Sequence, residues 1–202
     1  MSSLHDLVQG VSLSGVIQQD APAFLIHHGA SSTAYHVRDV AMAAARIAGQ
    51  FEVDPQRAEI GGWLHDISTV IPNEDRMGRA REWGIEVLTE EEQFPMILHQ
   101  KLSVVMAREL FGVKDEGILS AIGCHTTLKR DATVLDKVVF IADKIAWDQP
   151  GAAPFLGELQ GALMVSLDAG CKVYLRWLWD QREKLRCVHP WFVEAYQQMV
   201  GE

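Results

Sequence analysis

Apolar residues recur at helical spacing along nearly the whole chain, and no stretch of useful length alternates between apolar and polar positions. That feature limits the fold to helices packed on helices. Val40, Ala43, Ala44 and Ile47 mark the inner face of a helix running from Ser32 to about Gly49. Asp54-Pro55 reads as an N-cap followed by proline at the first helical position, opening a helix toward Leu64. Pro72-Asn73 begins another that ends near Gly84. Thr89 with Glu92 has the spacing of a capping box, and the apolar run behind it predicts one long helix through Leu110, stopped by Gly112. Shorter helices are predicted over Lys114–Cys124 and Thr133–Trp147. Leu156, Leu159, Leu163, Leu167 and Tyr174 predict a single long helix reaching roughly Lys184, and His189-Pro190 precedes a last one.

The reading is all-α. Residues 1–30, interrupted by Gly10, Gly15 and Gly29, do not declare themselves. We divide the chain into an N-terminal segment, 1–20, and one domain, 21–202. Pro150, Gly151 and Pro154 separate a bundle from packing helices that begin near 155. At 202 residues and 48% hydrophobic, such a chain can bury a real core. The formal charge of −9 argues against a general nucleic-acid or anionic-membrane surface. No apolar run is long enough to span a bilayer. The first basic residue is Arg38, so the positive flank of a secretory signal is lacking. Three scattered cysteines, Cys124, Cys171 and Cys187, suit a reducing cytoplasm.

Several of the eight histidines lie within apolar helical segments. His36 shares the face of Val40, Ala43 and Ala44. His65-Asp66 follows Gly61-Gly62-Trp63-Leu64 at a helix end, His99 follows Pro95-Met96-Ile97-Leu98, and His125 ends the Ala121-Ile122 helix. Asp143 closes the run Val138-Val139-Phe140-Ile141-Ala142, where a carboxylate is costly to bury without a partner. Each has an ordinary reading alone, as a satisfied core histidine or a charge at a helix C-terminus. Four imidazoles and two carboxylates on inward faces of separate helices have a common explanation in a shared cation within a bundle core. Their chemistry favours two metals. His36, His65, Asp66 and Asp143 would hold one, and His99 and His125 the second, with Asp66 bridging. Imidazole with carboxylate suits iron, manganese, cobalt, nickel or zinc better than calcium or magnesium. Two cations about 3.5–4 Å apart can clamp a phosphoryl group and deprotonate a bridging water, with no protein nucleophile. His5-Asp6 repeats the dipeptide without matching partners, and His27-His28 and His189 read as loop or cap residues.

The order His36, His65-Asp66, His99, His125, Asp143 resembles the HD-domain metal-dependent phosphohydrolases, and most closely their YqeK-type branch. The strings that carry the resemblance are Gly62-Trp63-Leu64-His65-Asp66-Ile67, Leu98-His99, Ala121-Ile122-Gly123-Cys124-His125-Thr126-Thr127 and Leu135 through Ile145. It runs from about residue 22 to the C-terminus. It implies an HD-domain helical bundle with a two-iron centre in its core. It further implies metal roles at all six positions, with Asp66 and His65 as the catalytic pair, and symmetrical hydrolysis of diadenosine tetraphosphate to two ADP by a metal-bridging hydroxide. The branch has also been linked to NAD metabolism.

Three cations usual in the family are replaced, by Thr33, Thr69 and Gln149. Arg38, Lys129, Arg130 and Lys144 are candidate substitutes for holding a polyphosphate, and Thr126 and Thr127 could bond a phosphate or orient His125. The substrate expected is a nucleotide or dinucleoside polyphosphate. Two alternatives stand beside it. One is a nucleoside monophosphatase or cyclic-nucleotide phosphodiesterase of the same superfamily, and the other is a nucleotide-binding regulatory module without turnover. Trp63 and Trp147 are read as core, with base stacking as the alternative. Trp177 and Trp179 cannot both point at one core, so one of them is expected to meet a partner chain or the cleft, which makes a homodimer an open expectation.

Overall fold

The structure, a computed structural model, describes residues 4–148 and 151–201. Among these the regular structure is helical throughout, with eleven α-helices and no strand. They are α1 (Ile17–His27), α2 (Ser31–Ala48), α3 (Pro55–Leu64), α4 (Asn73–Glu82), α5 (Thr89–Gln93), α6 (His99–Glu109), α7 (Glu116–Cys124), α8 (Val134–Ile145), α9 (Leu156–Leu163), α10 (Leu167–Trp179) and α11 (Pro190–Met199). Short 3₁₀ turns occupy Leu4–Val8, Ile67–Val70, Pro95–Leu98 and Arg182–Lys184. No helix among the described residues is long and apolar enough to cross a membrane.

The capping chemistry sets most boundaries. Asp54 accepts from Gln56 N at 2.9 Å, and Asp115 accepts from Gly117 N and Ile118 N at 2.8 and 3.2 Å. Thr133 and Asp136 form a reciprocal capping box at the start of α8. In the N-terminal stretch, Asp20 ties down the turn before it by accepting from Ser14 N, Ser14 Oγ and Gly15 N. The boundary expected at residue 20 falls inside α1, where Asp20, Ala21, Phe24 and Leu25 are all buried.

Two long helices expected from the pattern are each broken in two. Thr89 does not open a continuous helix to Leu110. Pro95 has no N–H and would clash with the carbonyl four residues earlier, so α5 stops at Gln93 and α6 starts afresh at His99. The cap at α5 is also shifted by one residue, since Glu91 rather than Glu92 reaches back to Leu88 N, at 2.8 Å. The segment 156–184 breaks because Ser166 caps a new helix by accepting from Ala169 N at 3.0 Å, leaving Met164 and Val165 exposed at the corner. Both partial helices keep their apolar sides inward, which is why the break was invisible to periodicity.

The innermost layer is α2, α3 and α8. A Cβ on Gly62 would lie 2.5 Å from Ala41 Cα, so α2 and α3 pack backbone against backbone. A Cβ on Gly61 would lie 2.9 Å from Val139 Cγ2 of α8. Val37, Val40, Leu64, Val139 and Phe140 fill the space between them, and α1, α6, α7 and α10 complete the core with Phe24, Leu102, Ile122 and Leu175. Trp177 and Trp179, each half-buried, both pack against rings of their own chain. Trp177 lies against Phe155 and Tyr174 with ring centres 4.7 and 5.5 Å away, and Trp179 stacks on Tyr196 at 4.2 Å. Trp63 is buried with its Nε1 on Glu59, and Trp147 packs on Phe155.

Candidate metal centre

Three of the expected histidines sit at the same kind of place, the last turn of a short helical segment. His65 ends α3, His125 ends α7, and His99 ends the 3₁₀ turn Pro95–Leu98 and starts α6. Each ring is oriented identically. The Nδ1–H of His65 donates to Gly62 O at 2.7 Å, that of His99 to Met96 O at 2.7 Å, and that of His125 to Ile122 O at 2.8 Å. A carbonyl oxygen can only accept, so the proton of each neutral ring resides on Nδ1 and Nε2 carries a bare lone pair.

Those lone pairs converge. His99 Nε2 lies 3.1 Å from His125 Nε2, and His65 Nε2 lies 3.3 Å from His36 Nε2. Asp66 stands between the pairs, with Oδ2 3.6 Å from His65 Nε2 and Oδ1 3.4 Å from both His99 Nε2 and His125 Nε2. Asp143 Oδ1 is 3.1 Å from His36 Nε2 and 3.7 Å from His65 Nε2. Asp66 Oδ1 and His36 Nδ1 are buried with no hydrogen-bond partner. Acceptor atoms facing one another without a donor are costly in a protein interior. A divalent cation resolves the conflict. Two donor groups have the right spacing, one of His36, His65 and Asp66, the other of Asp66, His99 and His125. Asp143 extends the first.

The electrostatics favour lone-pair donors at His65 and His99 and set His36 apart. Burial is the main cause holding His65 and His99 at about 4, so both are neutral, lone-pair donors at physiological pH. Burial also disfavours charge on His36, but the hydrogen bond and charge of Asp143 outweigh it and raise His36 to about 9. Burial would push the Asp143 carboxyl up, yet the Lys144 ammonium and His36 hold it well below the usual carboxylate range.

The expected substrate contacts divide. Thr126 Oγ1 is 3.0 Å from His99 Nε2 and belongs to the rim of the centre. Thr127 is buried and donates to Leu128 O at 2.8 Å, facing away. Lys144 is not available to a substrate. It is buried, donates to Asp143 Oδ2 at 2.5 Å and to His125 O at 3.3 Å, and lies between the rings of Phe140 and Tyr174. Arg38 is on the outer face of α2, paired with Asp39. Lys129 donates to Ser120 Oγ at 2.6 Å and lines a separate cavity of about 360 Å³ with Trp191 and Lys101. Arg130 is exposed. Thr69 donates to Asp66 O at 2.8 Å, and Gln149 lies outside the described residues. Two residues escaped the sequence reading. Asp148 Oδ2 lies 3.9 Å from His36 Nδ1, beyond the end of α8 where no pattern singles it out. Arg76 is buried in α4, on a helix whose composition reads as solvent-facing.

A model of the HD domain matches residues 33–148, a span that contains all six expected ligands. An uncharacterised protein in the pepC 5′ region of Lactococcus lactis subsp. cremoris is 46% identical over 150 residues, covering 74% of this chain and 76% of that protein. A symmetrical bis(5′-nucleosyl)-tetraphosphatase of Halalkalibacterium halodurans is 29% identical over 175 residues, covering 83% of this chain and 88% of the relative. The Bacillus subtilis protein of the same name is 32% identical over 111 residues, covering 54% of this chain and 59% of its own length. A crystal structure from Clostridium acetobutylicum, described as a predicted HD superfamily hydrolase involved in NAD metabolism, superposes with a TM-score of 0.81. It is 24% identical and covers 89% of this chain and 95% of that one, which shows the shared fold. The helical architecture, the matched span and these relatives lead to one conclusion: the chain belongs to the HD-domain family and is an enzyme, a hydrolase of that superfamily.

Proposed function

We propose that this protein is a two-metal phosphohydrolase that splits a dinucleoside polyphosphate, diadenosine tetraphosphate in the first instance, symmetrically into two nucleoside diphosphates. The observation that carries the reading is the position of Asp66, which turns one oxygen to each pair of histidines and leaves Oδ1 buried without a partner. The substrate follows from the names of the relatives. Iron is the metal of choice by family resemblance, and the same donors accept manganese, cobalt, nickel or zinc.

When bound, a pair of divalent cations polarises phosphoryl oxygens and acidifies water beside them. The chain's own residues do the rest. His36, His65, Asp66 Oδ2 and Asp143 Oδ1 would hold one cation, and Asp66 Oδ1, His99 and His125 the other. Lys144 occupies Asp143 Oδ2, so Asp143 offers a single oxygen. The three carbonyl bonds to Nδ1 lock the rings and increase the basicity of Nε2. Thr126 places a hydroxyl at the rim where a phosphate oxygen would lie. No side-chain nucleophile is needed, and Asp66 and His65 are the residues on which turnover depends. We assign the chemistry to the one helical domain, expected from residue 21 and including the whole of α1, and place the protein in the cytoplasm in keeping with its three free thiols.

The test is metal analysis and product analysis on anaerobically purified protein. Roughly two metals per chain are expected, with ADP as the sole nucleotide product and activity abolished by a chelator and restored by divalent metal. Full activity at near-zero metal content would overturn the reading. Nucleoside plus phosphate, or an opened cyclic ester, would move the substrate within the superfamily. Tight binding without hydrolysis across a broad nucleotide panel would make it a regulatory module.

A further inference from the structure

The segments carrying Asp66 and His99 each have regular α-helix on one side only and a 3₁₀ turn on the other. Asp66 is followed by the 3₁₀ turn Ile67–Val70, and His99 is preceded by the 3₁₀ turn Pro95–Leu98. Such turns carry few internal hydrogen bonds and need outside support to hold a ligand to a fraction of an ångström. Arg76 of α4 reaches between them. Its Nε donates to Ile71 O at 3.2 Å, and its Nη1 donates to Met96 O at 2.7 Å. Met96 O is the same oxygen that receives the Nδ1–H of His99 at 2.7 Å. One guanidinium therefore ties the end of the Asp66 turn to the carbonyl that aims the His99 ring. A planar fork with fixed donor directions suits that task better than a lysine. Arg76 is 8% exposed, too enclosed for a surface charge. Its charge is also felt by Asp66 and by His99.

The other half of the centre shares only Asp66 with these turns. His36 and Asp143 stand on the regular helices α2 and α8, and His65 ends α3, which packs backbone-close on α2. Lys144 supplies their local support.

We propose that Arg76 is a positioning residue for the second metal, clamping the Asp66 and His99 turns so that Asp66 Oδ1, His99 and His125 form one donor set. The inference rests on the two-metal reading. It predicts an asymmetric failure, in which loss of the clamp weakens the second cation, two of whose ligands sit on the clamped turns, more than the first, which shares only Asp66.

The experiment is metal titration of metal-free wild-type, Arg76→Met and Arg76→Lys protein with manganese, followed by metal counting and circular dichroism. Wild type should bind two. Arg76→Met should retain its helical signal and the first metal while its affinity for the second falls about 10- to 100-fold. Arg76→Lys, which can reach one carbonyl but not both, should fall in between. If Arg76→Met does not fold, the lysine variant decides. Two metals bound as tightly as in wild type, or equal loss of both, would overturn the proposal. Two metals retained with a raised KM for the dinucleotide would assign Arg76 to phosphate binding instead, and would equally overturn it. The metal titration and circular dichroism need no hydrolysis, so a wild type that binds two metals but does not cleave diadenosine tetraphosphate would sink the substrate reading and leave Arg76 standing.

Discussion

The molecule buries histidine in two polar clusters, and they are opposite in construction. In the first, His189 Nδ1 accepts from Trp191 N at 3.2 Å, so its proton is on Nε2, which donates to Glu91 Oε1 at 3.2 Å. Glu91 Oε2 accepts from Leu88 N and Lys101 Nζ, both at 2.8 Å. Every donor there meets an acceptor, and the cluster fastens α11 to α5. In the metal centre the rings are reversed. Nδ1–H points outward to a carbonyl, and the Nε2 lone pairs face each other and two carboxylates. Burial is equal in the two clusters, with His189 at 1% and His125 at 2% exposure, so burial does not separate structure from function here. The direction of the ring proton does. A cluster that satisfies itself needs nothing more, whereas one that leaves a buried acceptor such as Asp66 Oδ1 without a donor is suited to a cation.

The largest test of that contrast is Asp66→Ala. Removing the shared carboxylate should lower turnover by at least about 10³-fold and reduce metal content, as read by steady-state assay and metal analysis. An active, metal-replete variant would break the distinction. Glu91→Gln should do the converse, retaining metal while costing about 2–4 kcal/mol in denaturant unfolding. Its pH signature is also specific. Burial raises the Glu91 carboxyl, but His189, Leu88 N and Lys101 outweigh that and hold it below its usual 4.5. A lowered folded-state value means that its contribution is present above about pH 4.5 and fades as pH falls through the folded value. Glu91→Gln should therefore flatten the acid limb of the stability profile, and an unchanged limb would count against a charged Glu91.

Gly62→Ala sharpens the comparison from the packing side. Its Cβ would meet Ala41 backbone at 2.5 Å, and backbone does not step aside as a side chain can. A loss of about 1–3 kcal/mol is expected, with weaker binding of the metal held by His36 and His65. The smallest effect should be at Arg38. It is half exposed and already paired with Asp39, so Arg38→Ala should change KM by less than about twofold and stability by less than about 0.5 kcal/mol.

Much of this was legible in the chain. The helical class followed from periodicity, and the start of α3 followed from Asp54-Pro55, because a cap and a proline act within one turn. The breaks at Phe94 and Ser166 did not show in the apolar pattern, since short helices that bury the same stripe leave it continuous, although Pro95 carried a local signal for the first. His36 and Asp143 were recognisable from their neighbours, because polar groups inside apolar runs stand out. Arg76 and Asp148 were not, because each lies among polar residues and only the approach of distant segments gives it meaning. Lys144 was legible as a cation but not as a buried one. Its commitment to Asp143 Oδ2 depends on where α8 meets Tyr174 of α10.

The sequence by itself determined the helical class and the six side chains that converge, since both are properties of local spacing and residue chemistry. Only the tertiary structure decided that the Nε2 atoms of His36 and His65, and of His99 and His125, meet in pairs, and that one oxygen of Asp66 faces His99 and His125. Those are matters of what each polar atom meets across the core, and that partner lies tens of residues away along the chain.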